Sequence, residues 1–226
     1  MRPRSEAVKT YASHYEDQGA TDGYQSGITP PRSLAEVTEP GRIAGLVLMA
    51  AERESIRRLL ESVPDTPITV DLPCGGGKLL PLLSRRRGLV GIDASAAMLT
   101  HFKRNGGRET IRANIIALPL KENTIGLIVC NRLLHRLPAK DRIEILTELR
   151  RVSAGWAIVY YALTDAFRSA VRRVEIFLGL IVPTGILFSS RQAAMAEIRQ
   201  ANWTIVAEKH VLTGLSGGHV FLLKKS

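Results

Sequence analysis

The chain has 226 residues, of which 45% are hydrophobic and 23% are charged, a balance that suits an α/β domain with its own buried core. The formal net charge of +10 points to anionic partners, but only 5% of residues are aromatic, which argues against a stacking platform for single-stranded nucleic acid. The two cysteines lie far apart and outside any CxxC pattern. This argues against a disulfide framework and a structural zinc site, and it indicates a reducing compartment.

The first part of the chain is predicted to be an N-terminal extension. Residues 1–41 are polar and rich in turn formers, and Pro30, Pro31 and Pro40 argue against a long helix there. The stretch also lacks the apolar segment of a signal peptide, so we expect a cytoplasmic protein. The predicted organisation is an extension over 1–41 followed by a single domain over 42–226.

Helices and strands alternate after the extension. Apolar residues at helical spacing predict a helix over Arg42–Val63, which Pro64 ends. Short apolar runs predict strands over Ile68–Leu72, Leu89–Ile92, Thr110–Ala113, Ile125–Cys130 and Trp156–Tyr161. Further helical patterns cover Lys78–Arg86, Ala96–Arg104, Ala139–Val152 and Ser190–Ala201.

The strand patterns predict the type of sheet. Continuous runs rich in β-branched residues indicate strands buried on both faces, which is typical of parallel sheets covered by helices. The chain ends with the strand patterns "WTIVAEKHVL" and "GGHVFLLKK", separated by a short turn, so this pair is a hairpin with one antiparallel strand. The fold class is therefore α/β: a Rossmann-like, seven-stranded and mainly parallel sheet with an antiparallel terminal strand and helices on both faces.

The longest apolar run, Ile176–Phe188, is too short to span a membrane and is interrupted by Pro183. Two interpretations stay open. The run is either a buried helix with its exit loop, or an apolar lid over an acceptor pocket or a patch that touches lipid.

The glycine-rich segment "VDLPCGGGKLLPLL" decides the class of site. A phosphate-binding loop would need glycine in place of Leu72 and serine or threonine in place of Leu79. The dinucleotide fingerprint would need a third glycine where Leu80 stands. Both of these sites are therefore disfavoured.

The pattern that remains is an acid followed by two spaced glycines at the end of the first strand, and Asp71, Gly75 and Gly77 satisfy it. The arrangement suits a cofactor with an amino acid end and a sulfonium, because a carboxylate balances the positive charge and glycines let the turn pass close beneath the cofactor. Asp93, at the tip of the second strand, is placed to hold ribose hydroxyls. Asn114, near the tip of the third strand, is placed to read adenine.

Four segments resemble class I S-adenosylmethionine-dependent methyltransferases, especially the small-molecule group. They read "VDLPCGGG", "GIDASAAML", "ANIIALPL" and "IVCNRLLHRL", in the family's order and at similar intervals, and the resemblance runs from about Pro64 to the C-terminus. It implies S-adenosylmethionine as the cofactor and methyl transfer by in-line displacement to a small-molecule, lipid or glycan acceptor. The cofactor-binding residues that it implies are Asp71, Pro73, Cys74, Gly75, Gly77, Asp93, Ala94, Met98, Asn114, Ile115, Asn131 and Arg132.

The chain departs from the family pattern at three positions. Pro73 replaces the usual first glycine, Gly76 stands where threonine is common, and Asn114 replaces the usual aspartate. These departures keep open a noncatalytic partner or regulatory protein on the same fold. A further alternative is an enzyme at a membrane surface that methylates a lipid-linked sugar or a quinone.

Few residues are candidates for acid–base chemistry. His135, just after the fourth strand, is the best candidate for a general base, and its alternative role is to hold a loop by hydrogen bonding. No metal is required, and we expect none. His101, His210 and His219 show no partner pattern and are interpreted as structural or exposed.

Several aromatic residues are candidates for the acceptor side. Tyr160 and Tyr161 end the fifth strand, and strand alternation lets only one of them face the site. The extension carries Tyr11, His14, Tyr15 and Tyr24 and is either a lid over the acceptor, as in related enzymes, or a mobile tail. The motif typical of base-amino methyltransferases is absent after the fourth strand, so a nucleic acid acceptor is disfavoured, and a protein partner stays open.

Overall fold

The computed structural model describes residues 40–165, 186–212 and 216–226. Residues 1–39 of the predicted extension and most of the apolar run Ile176–Phe188 lie outside these residues, so the predictions made for them stay predictions. The elements in chain order are α1 (Pro40–Leu60), β1 (Thr69–Asp71), α2 (Leu80–Leu83), β2 (Leu89–Asp93), α3 (Ala96–Arg104), β3 (Glu109–Arg112), β4 (Ile125–Cys130), a 3₁₀ turn (Leu134–Arg136), α4 (Ala139–Val152), β5 (Ser153–Ala162), α5 (Arg191–Gln200), β6 (Trp203–His210) and β7 (Gly218–Lys225).

The strands form one seven-stranded sheet in the order β3-β2-β1-β4-β5-β7-β6. Strands β1 to β5 pair in parallel, whereas β7 runs antiparallel to both β5 and β6. The predicted fold class is therefore confirmed. The order reverses direction at β1, whose neighbours are β2 and β4, and such a switch point opens a crevice at the carboxyl ends of the strands.

Helices cover both faces of the sheet, as the strand composition predicts. Along β7, Val220 and Leu222 pack in a buried cluster that contains Ile56 of α1. Phe221 and Leu223 point the other way and pack in a cluster with residues of α4 and α5. This alternation along one strand buries both faces, which explains why the strands read as continuous apolar runs.

A buried ion pair fastens α4 to α5. Arg142 donates to both carboxylate oxygens of Glu197, at 2.8 and 2.6 Å, and to the carbonyl of Leu137. The hydroxyl of Tyr161 donates to the same carboxylate at 3.0 Å. Because both charges are buried, removing one partner of such a pair typically costs about 3–5 kcal/mol. Tyr161 is therefore part of the buried core on the face of the sheet that α4 and α5 cover.

Three predicted helices differ from the observed ones in their limits. Helix α1 is Pro40–Leu60 rather than Arg42–Val63, and the fixed φ of proline suits its first turn. Helix α5 is Arg191–Gln200 rather than Ser190–Ala201, because these two residues are its caps. The helix predicted over Lys78–Arg86 is only Leu80–Leu83, because the residues before it form a turn in which Gly75 and Gly77 have positive φ. The predictions for α3, α4 and β4 match the observed limits.

Within the described ranges, no helix combines the length and the apolar character that crossing a bilayer requires.

Candidate active site

The glycine-rich turn connects β1 to the tip of β2. The amide of Cys74 donates to the carbonyl of Ile92 at 2.9 Å, and the amide of Gly77 donates to the carbonyl of Cys74 at 3.0 Å. Gly77 has φ of +87°, and a Cβ there would lie 2.4 Å from Cδ1 of the buried Leu80. The tight turn therefore requires glycine at this position on both conformational and steric grounds.

Asp93 holds this turn to the loop after β2. Its Oδ2 accepts a hydrogen bond from the amide of Gly75 at 2.9 Å, and its Oδ1 accepts one from the amide of Ser95 at 2.9 Å. Burial raises the pKa of Asp93, and the hydrogen bonds from the two amides partly oppose that effect. Ser95 also caps α3 by accepting from the amide of Met98, which is buried beneath the loop.

Asp71 ends β1 and is almost fully buried. Burial, and secondarily the negative charge of Asp93, raise the pKa of Asp71 well above its usual range. The side chain lines a small pocket. The residues that line this pocket are Asp71, Pro73, Cys74, Lys78, Leu79, Asn131 and Arg132. A buried carboxylate beside a pocket favours a cationic ligand, since a positive charge would stabilise its ionised form.

Sequence reasoning missed Glu52, which joins α1 to this pocket. The buried carboxylate accepts from Asn131 Nδ2 at 2.8 Å and from Arg132 Nε at 2.9 and 3.0 Å. Glu52 precedes Ile56 and Leu59 at helical spacing, on the side of α1 that packs against the sheet. An acid at a core position of an amphipathic helix is the sequence signal that could have found it.

Lys78 places a positive charge at the pocket. Burial and the neighbouring charge of Arg132 lower the pKa of Lys78 to about 8, although Glu52 opposes that shift. The amine therefore lies close to its titration range at physiological pH. The sequence pattern placed Lys78 after the glycines at the start of a predicted helix and did not assign it to the cofactor.

His135 lies in the 3₁₀ turn after β4 and is buried. Its ring meets the ring of Tyr160 edge-on at 5.2 Å between centroids, and its Nδ1 has no hydrogen-bond partner in the described part of the chain. Burial lowers the pKa of His135 to about 3, with Arg136 and Arg132 adding to the shift. The neutral ring is therefore a weak base. The loop contact is made by its backbone carbonyl, which accepts from the amide of Leu187 at 2.7 Å.

Asn114 follows β3 and shapes its own turn. Its Oδ1 accepts from the amide of Ile116 at 3.2 Å, and its carbonyl accepts from the amide of Ala117. The preceding residue, Ala113, donates to the carbonyl of Asp93, which keeps Asn114 near the tip of β2. Ile115 beside it is buried.

The structure thus brings most of the predicted site residues to one edge of the sheet. Asp71, Pro73, Cys74, Asn131 and Arg132 line the pocket directly. The remaining predicted cofactor residues lie in the adjoining turns and loops, at the end of β2 and in the first turn of α3: Gly75, Gly77, Asp93, Ala94, Met98, Asn114 and Ile115. His135 is not part of the pocket lining.

The predictions for four side chains can be compared with the structure. Cys74 and Cys130 are free and buried, and burial raises the pKa of both thiols, that of Cys130 to about 12. Both therefore act as small core residues rather than nucleophiles, as expected. Tyr160 contacts His135 while Tyr161 faces Glu197, as strand alternation requires.

The interpretation of His210 and His219 as structural or exposed agrees with the structure, in which His210 is exposed and His219 is buried. His219 Nδ1 lies 2.7 Å from Glu208 Oε1, and the rings of His210 and His219 are 3.9 Å apart between centroids. These histidines therefore have partners. The sequence pattern could not reveal them, because the pairing depends on the register of two strands.

Comparisons with known proteins agree with this geometry. Residues 70–159 match the family model described as a methyltransferase domain. No curated protein matches the sequence significantly.

Solved structures share the fold at low sequence identity. A magnesium protoporphyrin IX methyltransferase from Synechocystis PCC 6803, with bound S-adenosylmethionine, superposes with a TM-score of 0.73 at 11% identity, and all of both chains is covered. A geranyl diphosphate C-methyltransferase from Streptomyces coelicolor A3(2) gives 0.66 at 13% identity, again over all of both chains. A methyltransferase from Leishmania major gives 0.63 at 16% identity and covers 98% of this chain and 87% of its own. At these identities the likeness establishes the fold.

Proposed function

We propose that this chain is a class I S-adenosylmethionine-dependent methyltransferase and that it methylates a small-molecule acceptor at the pocket beside Asp71. The observation that carries the proposal is the pair of buried carboxylates at neighbouring strand tips, Asp71 and Asp93, on either side of the glycine turn. The proposal includes S-adenosylmethionine as the cofactor.

The residues present fit that cofactor. Burial and the charge of Asp93 disfavour the ionised form of Asp71 and raise its pKa. The ammonium and sulfonium charges of the cofactor would stabilise that ionised form. Asp93 uses each oxygen for one amide and keeps further lone pairs for ribose hydroxyls. Met98, Asn114 and Ile115 would lie towards the adenine.

Lys78 is the group that we assign to the carboxylate at the methionine end. Two cations line the pocket beside Asp71, and Arg132 already pairs with Glu52. A Lys78→Met variant should lose affinity for S-adenosylmethionine but keep its affinity for 5′-methylthioadenosine, which lacks the amino acid end. Equal loss for both ligands would show that the substitution disturbs the pocket as a whole.

When bound, the cofactor supplies an electrophilic methyl group on a sulfonium. The thioether that leaves is neutral and needs no protonation. The protein then has to align the acceptor and exclude water. The Glu52–Arg132 pair holds α1 against the pocket wall, and Leu79 and Cys74 supply apolar lining. His135 is neutral at physiological pH and lies outside the pocket lining. We propose that it orients the part of the acceptor that extends beyond this lining, by accepting a hydrogen bond rather than by removing a proton as a strong base.

We propose that the acceptor is a small molecule, a lipid or a glycan. The structural neighbours are named for a porphyrin and for geranyl diphosphate, both small molecules. An acceptor screen should therefore include amphipathic and prenylated compounds as well as sugars. Binding to anionic vesicles that disappears with salt would favour a membrane-surface acceptor, and absence of binding at low salt would exclude one.

Calorimetric titration with S-adenosylmethionine and S-adenosylhomocysteine tests the proposal. We expect binding by the wild-type protein and a loss of at least about tenfold in Asp93→Ala, because one lost charged hydrogen bond is worth about 1.5–3 kcal/mol. Asp65→Ala removes an exposed acid outside the pocket and is the matched control. Binding that is equal in all three proteins, or absent from the wild type, would refute the proposal.

A further inference from the structure

A second cluster of ligating side chains lies on the terminal hairpin, and it shares no residue with the pocket beside Asp71. Glu208 and His210 belong to β6 and His219 belongs to β7. In the register of the two strands His210 is directly opposite His219, and Glu208 is two residues before His210. Strand alternation therefore puts all three side chains on the same face.

The three side chains approach each other closely. His219 Nδ1 is 2.7 Å from Glu208 Oε1, and one ligand atom from each residue lies within 4.8 Å of the other two. Ligand atoms around a single ion are about 3–4 Å apart, because each lies about 2 Å from the metal. A shift of about an ångström would close the cluster around an ion. His210 is exposed, so its ring has room for that shift.

Arg191 orients the carboxylate from its far side. Its Nε and Nη2 donate to Glu208 Oε2 at 2.9 and 2.6 Å, whereas the longer contact of 3.2 Å goes to Oε1. The oxygen that faces His219 is thus the one that Arg191 engages less. A ligating carboxylate is commonly held by a second group in this way, which fixes the direction of its other oxygen.

We propose that Glu208, His210 and His219 bind one divalent transition-metal ion, with water in the remaining positions. Two imidazoles and one carboxylate suit Zn²⁺, Ni²⁺ or Cu²⁺ rather than Mg²⁺ or Ca²⁺, which prefer oxygen ligands. The ion would replace the proton shared between His219 and Glu208 and would join β6 to β7 beside their connecting turn. The spacing of the two cysteines argues only against a zinc site with thiolate ligands. It does not argue against a site made of two histidines and a glutamate.

Metal titration of the untagged full-length protein, after treatment with EDTA, tests the proposal. We expect one Zn²⁺ per chain by calorimetry, a higher melting temperature with Zn²⁺, and visible absorption bands on addition of Co²⁺. His210→Ala should weaken Zn²⁺ binding at least tenfold and should fold normally, since this histidine is exposed. His101→Ala removes a histidine of α3 and should bind as the wild type does.

Two outcomes would overturn the metal site. Either the wild type binds no Zn²⁺ at millimolar concentration, or His210→Ala binds it as tightly as the wild type does. In the first case the cluster is an ion-pair network that ties the hairpin to α5. In the second case the metal binds elsewhere on the protein.

Discussion

Asp93 accepts a hydrogen bond of 2.9 Å from the amide of Gly75, so the tip of β2 and the glycine turn after β1 are held as one unit. The second oxygen accepts from Ser95, the residue that caps α3. One carboxylate therefore positions the turn, the next strand and the following helix. A residue predicted only as a ribose ligand also has a structural role.

The two roles of Asp93 can be separated by two substitutions. Asp93→Ala leaves the amides of Gly75 and Ser95 without acceptors and should lower the free energy of unfolding by about 2–4 kcal/mol. Asp93→Asn keeps one acceptor oxygen and should lower it by less, while still losing affinity for S-adenosylmethionine. Urea denaturation and calorimetry measure the two effects. Equal destabilisation by both variants would contradict the structural role.

Asp71 should release a proton when the cofactor binds. Its pKa is raised in the free protein by burial and by Asp93, and a cationic ligand would lower that pKa again. At a pH between the two values, binding converts the neutral acid into the carboxylate, so protons are released. Calorimetry in buffers of different ionisation enthalpy measures the number of protons released on binding. In Asp71→Asn the buffer dependence should decrease, and an unchanged dependence would assign the proton to another group.

The parts of this fold that were predictable rest on local patterns. Helix α3 has the limits that its helical pattern predicted, because Met98, Leu99 and Phe102 form its buried side and Ser95 caps its first turn. Strand β4 was equally clear because it is an apolar run that is buried on both faces. The glycine turn and its two acids were found because all of them lie within a short segment of the chain.

The parts that were missed depend on distant contacts. Glu52 and Arg132 are 80 residues apart in the sequence, and no local pattern predicts an ion pair between α1 and the loop after β4. Arg86 lies beyond the short α2, yet its guanidinium donates to the carbonyl of Leu60 at the end of α1. The pairing of His210 with His219 required the strand register.

Gly77 should tolerate a side chain less well than Gly106 does. Both have positive φ, but a Cβ at Gly77 would lie 2.4 Å from Leu80 Cδ1, whereas one at Gly106 would have nothing within 4 Å. Gly77→Ala therefore adds a steric clash to the backbone strain and should cost about 1–3 kcal/mol more than Gly106→Ala. Urea denaturation of the two variants measures the difference. Similar losses would mean that Leu80 moves aside without cost.

His135 should make the protein less stable in mild acid. The pKa of its ring is lowered from 6.5 to about 3 by burial, so the unfolded chain binds a proton between these values and the folded chain does not. This contribution to stability is present above pH 6.5 and is lost as the pH falls towards 3. Between pH 7 and 5 it should amount to about 2 kcal/mol in the difference between wild type and His135→Gln. A constant difference across that range would show that the ring takes up a proton in the folded protein as readily as in the unfolded chain.

Glu52 and Arg132 should be energetically coupled, because the carboxylate is buried and the guanidinium is only 29% exposed. Glu52→Gln and Arg132→Gln should each destabilise the fold, and the double variant should lose less than the sum by about 1–3 kcal/mol. The same double-mutant cycle, measured on the affinity for the cofactor, should also show coupling, because Arg132 lines the pocket and its pair with Glu52 joins α1 to it. The exposed pair Arg58–Glu54 on α1 is the matched control, and its coupling should not exceed about 0.5 kcal/mol. Additive losses at Glu52 and Arg132 would mean that apolar packing alone holds α1 at the site.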